Sequence, residues 1–248
     1  MAEGKTETLN ANWDNKPDAY DQVRRTWLNQ RRLSFLQAEV IGVLSGKLRV
    51  LEIGSGTGFL LNDLAKSRPD CEFVGIDPNQ SYIDYAEVQA RMRRLANVTY
   101  HCVAGERLTH AFGDARLFDL VLSNDVLHHV SDLEQVFAET ASHARSGCRW
   151  IAIEPNPLNP YVFLGQLKKT GEKNFSPRDA RVAAQSVGWT YASASFLFLI
   201  PPFIRRPHAW LRKIEASFEH VPFLAGGIVQ MYRIKSPYIE SKLRTSNP

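Results

Sequence analysis

Arg49-Val-Leu-Glu-Ile-Gly54-Ser-Gly-Thr-Gly58 passes from a short apolar run into a turn with glycine at every second position, and a helical pattern with Leu60, Leu61 and Leu64 on one face follows. A buried strand reads this way when it ends in a tight turn that opens a helix. Glycine there lets the backbone approach a ligand closely, and the start of the following helix presents free N–H groups to polar atoms. The spacing narrows the choice of ligand. A dinucleotide fingerprint counted from Gly54 requires glycine where Phe59 stands, and a phosphate loop requires Gly-Lys-Ser/Thr, which is absent.

The flanking sequence repeats the alternation of strand and helix. Glu72-Phe-Val-Gly-Ile-Asp77 is a second strand ending in an acid. Ser81 to Leu95 is helical, Val98 to Val103 a third strand, and Phe118 to Ser123 a fourth. Leu133 to Ala144 is helical and Trp150 to Glu154 a fifth strand. Such alternation implies parallel pairing with helices on both faces, which explains strands that are apolar nearly throughout. Tyr191 to Ile200 and Ile228 to Ile234 read as closing strands of the same sheet, an antiparallel edge hairpin interrupted by an insertion at about 201–227. That insertion carries a helix with Trp210, Ile214 and Phe218 on one face. Helices are expected near Pro160–Lys169 and Pro177–Val187. Ahead of the sheet, Ala19 to Leu44 reads as helical, and the ends, to about Asn10 and beyond Pro237, as polar tails. The expected organisation is a tail with leading helices over 1–45, one strand-and-helix domain over 46–236, and a polar tail over 237–248.

In such a sheet a ligand sits beyond the carboxyl ends of the strands, so the residues after each strand carry the chemistry. They are the Glu52-to-Gly58 turn, Asp77-Pro78, and Ser123-Asn-Asp-Val-Leu-His-His-Val130. Together they resemble the class I methyltransferases dependent on S-adenosylmethionine (SAM), with the likeness carried by about Arg49 to Glu154. The resemblance implies a Rossmann-like fold with a mostly parallel seven-stranded sheet. It implies SAM as cofactor and S-adenosylhomocysteine (SAH) as product. Glu52, Gly54, Ser55, Gly56 and Gly58 would wrap the methionine part, Asp77 would accept the ribose hydroxyls, and Pro78 would border the adenine. Asn124 would offer polar groups to the methionine end, and Tyr20 belongs to a region resembling the helices that cap SAM. The family often places an acid for the adenine amine where this chain has Ala104. Gly105 keeps its backbone N–H, and Glu106 either replaces the missing carboxylate or faces solvent.

His128 and His129 lie at the expected mouth of the site, with Glu154 at the end of the fifth strand. A carboxylate beside an imidazole orients it and raises its basicity, so one histidine is a candidate general base with Glu154 as its partner. Their bland alternatives are a structural histidine and a strand-end turn at Glu154-Pro155-Asn156.

The acceptor class follows by exclusion and composition. The segment after strand four lacks the Asp/Asn-Pro-Pro-aromatic motif of amino-methylating nucleic-acid enzymes. The three cysteines, each preceded by a residue other than proline, do not fit a cytosine-C5 nucleophile. Net charge of +4 with a sequence pI of about 9.0 does not demand an anionic partner. Nucleic acid is therefore not the expected partner; a small-molecule hydroxyl is, on a hydrophobic, natural-product or sugar-like acceptor. Phe196 to Phe223 either walls its pocket or packs the insertion onto the sheet. Because Phe196–Phe203 precedes Arg205, Arg206, Arg212 and Lys213, contact with an anionic membrane surface through about 196–213 is a second expectation, with a lipid or isoprenoid-linked acceptor. A third is a SAM-binding fold reused as a cyclase or non-catalytic partner. No metal ligand set stands out. Polar Met1 to Asn10 carry no signal core, which points to the cytoplasm. Oligomeric state is not legible.

Overall fold

The structure, a computed structural model, describes residues 16–39, 46–167, 175–201 and 203–234. Strands β1 (Arg49–Ile53), β2 (Glu72–Asp77), β3 (Val98–Cys102), β4 (Phe118–Asn124), β5 (Ala144–Pro155), β6 (Trp189–Leu197) and β7 (Gly227–Ile234) form one sheet in the order β3-β2-β1-β4-β5-β7-β6. All pairs are parallel except those of β7, which runs antiparallel to both β5 and β6. The Rossmann-like class is thus observed, with an antiparallel edge. Strand order reverses between β1 and β4, which opens a crevice at their carboxyl ends.

Side chains alternate between two cores, as the period of two in a strand requires. Leu51, Ile53, Ile76, Val121 and Trp150 pack on one face beneath helices α6 (Leu133–His143) and α8 (Pro177–Ser186). Val50, Phe73, Leu120, Leu122 and Ile153 pack on the other with α2 (Trp27–Gln37), α3 (Phe59–Ser67) and α4 (Gln80–Met92). Burial on both faces is why the strands read as unbroken apolar runs.

The expected helix over Ala19 to Leu44 is instead two, α1 (Pro17–Arg24) and α2, and residues 40–45 fall outside the described ones. The break lies at Arg25-Thr26. Thr26 is extended and its hydroxyl accepts the Asn29 N–H, capping α2. Apolar periodicity continues through the break and hides it. β6 stops at Leu197 rather than Ile200, because Phe198 adopts a φ of +46° and turns the chain off the sheet. The remaining helices are α5 (Leu108–Phe112), α7 (Pro160–Leu167) and α9 (Ala209–Phe218). Trp210, Ile214 and Phe218 of α9 do not face the sheet. They are exposed, as are Leu158, Tyr161, Phe163, Leu164, Phe203, Phe223 and Leu224.

Candidate active site

The glycine turn lies at the strand-order reversal. Gly54 and Gly58 have φ of +68° and +72°, and a Cβ at either would lie 2.3 Å from Val126 Cγ2 or 2.4 Å from Tyr100 Oη. Both positions therefore exclude any side chain, through conformation and through space. Ser55 N donates to Ile76 O at 2.8 Å, and Asp77 Oδ2 accepts the Gly56 N–H at 3.0 Å, tying the turn to the end of β2. The other Asp77 oxygen accepts the Asn79 N–H at 2.9 Å. Burial raises the Asp77 carboxyl above its ordinary range.

The turn forms the floor of a cleft whose walls include Glu52, Ser55 and Asn124, roofed by Tyr20, Arg24 and Asn29 from the cap. Tyr20 stacks on Tyr82 at 4.9 Å between ring centroids. The cap sits close, leaving about 30 Å³. Three buried atoms here lack a hydrogen-bond partner: Glu52 Oε2, Ser55 Oγ and Asn124 Oδ1. Burial, with the Asp77 charge added and Arg24 opposing, pushes Glu52 up to about 8. An aliphatic ammonium group matches this set, since it supplies donors to the oxygens and a charge to Glu52. Ser123, by contrast, is occupied within the core, where its hydroxyl accepts the Trp150 indole N–H at 3.0 Å.

Beyond β3, Gly105 begins a short 3-10 turn and packs against Ile53. The Glu106 carbonyl accepts the Gln135 amide at 3.5 Å. Pro78, Val103, Ala104 and Arg107 border an open groove of about 580 Å³.

After β4 the chain is anchored by a single buried carboxylate. Glu154 Oε1 accepts the N–H groups of Val126 at 3.0 Å and Leu127 at 2.8 Å, and its Oε2 lies 2.7 Å from His128 Nδ1. His128 is therefore the histidine that Glu154 orients. His129 lies beside it, with ring centroids 4.0 Å apart and the planes tilted by 40°. The Glu154 side chain thus holds the turn after β4 and contacts His128 at once.

A cavity of about 650 Å³ opens next to the glycine cleft and shares Tyr20, Arg24 and Asn29 with it. Its walls are largely apolar, including Leu28, Phe198, Ile200 and Phe203, and charge enters through Arg24, Arg32, Arg205 and Asp125. Asp125, at a φ of +55°, directly follows β4. Arg32 grips both its oxygens at 2.7 and 2.6 Å, and Arg24 reaches it at 3.3 Å. Burial alone would raise the Asp125 carboxyl, but the two guanidinium groups outweigh burial and hold it at about 2. Arg32 also lies over the Phe198 ring at 5.1 Å. Neither histidine is among the residues lining this cavity; Asp125 is.

A second buried carboxylate locks the insertion to the cap. Glu215 on α9 accepts the N–H groups of Leu199 and Ile200 at 2.9 and 3.0 Å and the Trp27 indole at 2.5 Å. Arg31 pairs with Glu219 and approaches Glu215 at 3.7 Å. Sequence reading missed Arg24, Arg32, Asp125 and Glu215. Asp125 stood inside the quoted post-β4 segment, whereas the others carry no local signal.

The methyltransferase domain family matches residues 44–194. A ubiquinone biosynthesis O-methyltransferase of Coxiella burnetii is 32% identical over 120 residues, which is 48% of this chain and 47% of that protein. The chain thus spans about half the length of the curated relatives it matches. Among solved structures, the [4+2]-cyclase SpnF superposes with a TM-score of 0.69 at 17% identity, covering 95% of this chain and 99% of that one. A SAM-dependent methyltransferase from Aquifex aeolicus gives 0.61 at 13%, covering 89% and 98%. At these identities the structural likeness concerns the fold, whereas the family match spans more than half of the chain. The chain therefore belongs to the methyltransferase domain family, as a class I protein with SAM as its cofactor.

Proposed function

We propose that this protein transfers the methyl group of SAM to a hydroxyl of a hydrophobic small molecule held in the 650 Å³ cavity. The observation that carries this reading is the wall of Tyr20, Arg24 and Asn29 shared by the glycine cleft and that cavity. A cofactor in one and an acceptor in the other meet across it. In this reading Glu52, Ser55 and Asn124 hold the amino-acid end of SAM, the backbone of Gly54, Gly56 and Gly58 lies along it, and Asp77 takes the ribose. Pro78, Gly105 and Glu106 lie on the adenine side. The bound cofactor supplies an activated methyl group, so the protein's work is alignment, exclusion of water and removal of one proton. His128 takes that proton from an acceptor hydroxyl that reaches past the present lining of the cavity toward the end of β4, with Glu154 as the positioning residue that fixes its Nδ1. His129 supports it from the side. O-methylation agrees with the name of the relative from Coxiella burnetii, matched over about half its length.

SAH formation from SAM in the presence of hydrophobic phenols and alcohols tests the reading. His128→Ala should lower turnover by about 10²–10⁴-fold while SAH affinity stays near that of the wild type. Wild-type turnover in both His128→Ala and His129→Ala would remove the base and leave alignment alone. SAH binding without turnover on any acceptor would favour the fold's reuse, for which SpnF, a cyclase of the same fold, is the precedent.

A second reading concerns where the acceptor comes from. Exposed Tyr161 and Phe203 line the cavity, and Trp210, Ile214, Phe218 and Phe223 are exposed apolar side chains further along the insertion, with Arg205, Arg206, Arg212 and Lys213 nearby in the chain. Such a surface suits an anionic lipid interface that supplies an isoprenoid or lipid acceptor. Among the described residues no helix is long and apolar enough to cross a membrane, so the contact would be peripheral. Co-sedimentation with anionic vesicles that weakens with salt supports it, and no binding at low salt excludes it.

A further inference from the structure

The cavity is apolar in its walls but not neutral. Among the described residues, three guanidinium groups line it, those of Arg24, Arg32 and Arg205, against a single carboxylate, Asp125. Asp125 is already held by both Arg24 and Arg32, so that cluster retains a formal excess of one positive charge. Arg205 adds another, because among the described residues no acidic side chain pairs with it. Arg32 is 3% exposed, and its Nε has no hydrogen-bond partner. The neighbouring cleft would add the sulfonium charge of SAM. Glu154 also acts on Arg32 from outside the lining, but the lining itself carries positive charge in excess beside the low-dielectric walls of Phe198, Ile200 and Leu28, and its field draws in an anion. A latch between cap and sheet needs one arginine to match Asp125. It needs neither the second arginine nor the unpaired one at the rim.

We propose that the acceptor carries an acidic group, a carboxylate or a phosphate, on an apolar body, and that the group seats toward Arg24, Arg32 and Arg205. The apolar body lies along Leu28, Phe198 and Phe203. The proposal rests on the reading of this cavity as the acceptor site and names its substrate class. It also gives a reason for three arginines in a pocket whose other walls would accept any greasy molecule: apolar contact selects weakly, whereas a charged group that must be matched selects strongly. Guanidinium groups suit the task, since their donors pair with the oxygens of either group.

The test titrates SAH-saturated protein with four probes of one shape: 2-naphthoate, 2-naphthyl phosphate, neutral 2-naphthamide and the cationic 2-naphthylmethylammonium. At least one anion should bind about tenfold or more tighter than the amide, and the cation should bind weakest of all. Whichever anion leads identifies the acidic group. Arg205→Gln should cut the preference for the anion at least about threefold, and Arg205→Glu should abolish it. Exposed Arg91 on α4 is the control, and Arg91→Gln should leave the preference unchanged. Equal binding of amide and anions, or a preference that survives Arg205→Glu, overturns the proposal. The preceding SAH titration reports separately: absence of SAH binding defeats the methyl-transfer reading, whereas normal SAH binding without anion preference defeats only this one.

Discussion

Around Gly54 the cleft is shaped by backbone. The glycines adopt left-handed φ, Asp77 accepts the Gly56 N–H, and Glu154 accepts two backbone N–H groups of the post-β4 turn. Around Arg32 the cavity is shaped by side chains that meet across the chain. Arg32 reaches Asp125 over 93 residues, and Trp27 reaches Glu215 over 188. The first side depends on strand ends that a parallel sheet brings together as it forms. The second depends on an N-terminal cap and a C-terminal insertion finding each other. A fold assembled this way can keep its cofactor chemistry while its acceptor wall changes, because among the described residues the two linings have only Tyr20, Arg24 and Asn29 in common.

If the sides are separable, a break on the acceptor side should damage the cap and spare the glycine turn. Glu215→Ala is the severest such break. It leaves the Leu199 and Ile200 N–H groups and the Trp27 indole without their acceptor at a site 1% exposed. Loss of one member of a buried charged network costs about 3–5 kcal/mol. Thermal unfolding should shift accordingly, and hydrogen exchange should rise in α1, α2 and 198–204 ahead of β1 and β4. Uniform loosening of the sheet together with the cap would show that the two sides form one cooperative unit. Glu215→Gln, which keeps an acceptor oxygen, should recover most of the stability.

The mirror break is Asp77→Ala. It should weaken SAH binding by about 1.5–3 kcal/mol, the usual worth of hydrogen bonds to a charged group. Binding of an acceptor probe to the cavity should change little. Calorimetry showing unchanged SAH affinity would remove Asp77 from the ribose assignment, and loss of both ligands would deny that the sides are separable.

The contrast also explains what a reader of the sequence could see. Gly54, Gly58 and Asp77 stand beside their own strands, so their roles follow from local order. Glu154 was legible as the partner of one of two histidines, and the structure places it against His128 rather than His129. The helix break at Thr26 was hidden because apolar residues keep their spacing across it. Arg24 and Arg32 resembled ordinary surface arginines on an amphipathic helix. Their partner is a residue whose φ of +55° has no trace in sequence. Trp210, Ile214 and Phe218 have the spacing of a packed face, yet that face points outward. Periodicity reports that a helix has an apolar side and is silent on what covers it.

The smallest expected effect is the most specific to the cofactor side. Glu52 is buried, its Oε2 has no partner, and burial together with the Asp77 charge pushes it up to about 8. Without ligand, Glu52 therefore holds a proton at neutral pH. Its folded value lies above the unfolded one of 4.5, so the stability it contributes is complete below pH 4.5 and is lost as pH rises through about 8. An ammonium group arriving beside it favours the ionised form, so binding must expel that proton. SAH affinity should then climb between about pH 6 and 7.5, by no more than tenfold per unit for a single proton. Calorimetry at pH 7 in two buffers of different ionisation enthalpy should register up to one proton released per SAH bound. Glu52→Gln should release none, and its affinity should be flat over that range. If the wild type releases no proton, Glu52 does not face the amino group, and the orphaned oxygens of Ser55 and Asn124 must answer a different part of the cofactor. Arg24 sharpens the comparison once more, because its charge opposes the rise at Glu52 while it grips Asp125 from the other side. Arg24→Gln should raise the pH at which Glu52 ionises and so move the proton release to higher pH. A change in the acceptor wall would then be felt on the cofactor side through Arg24.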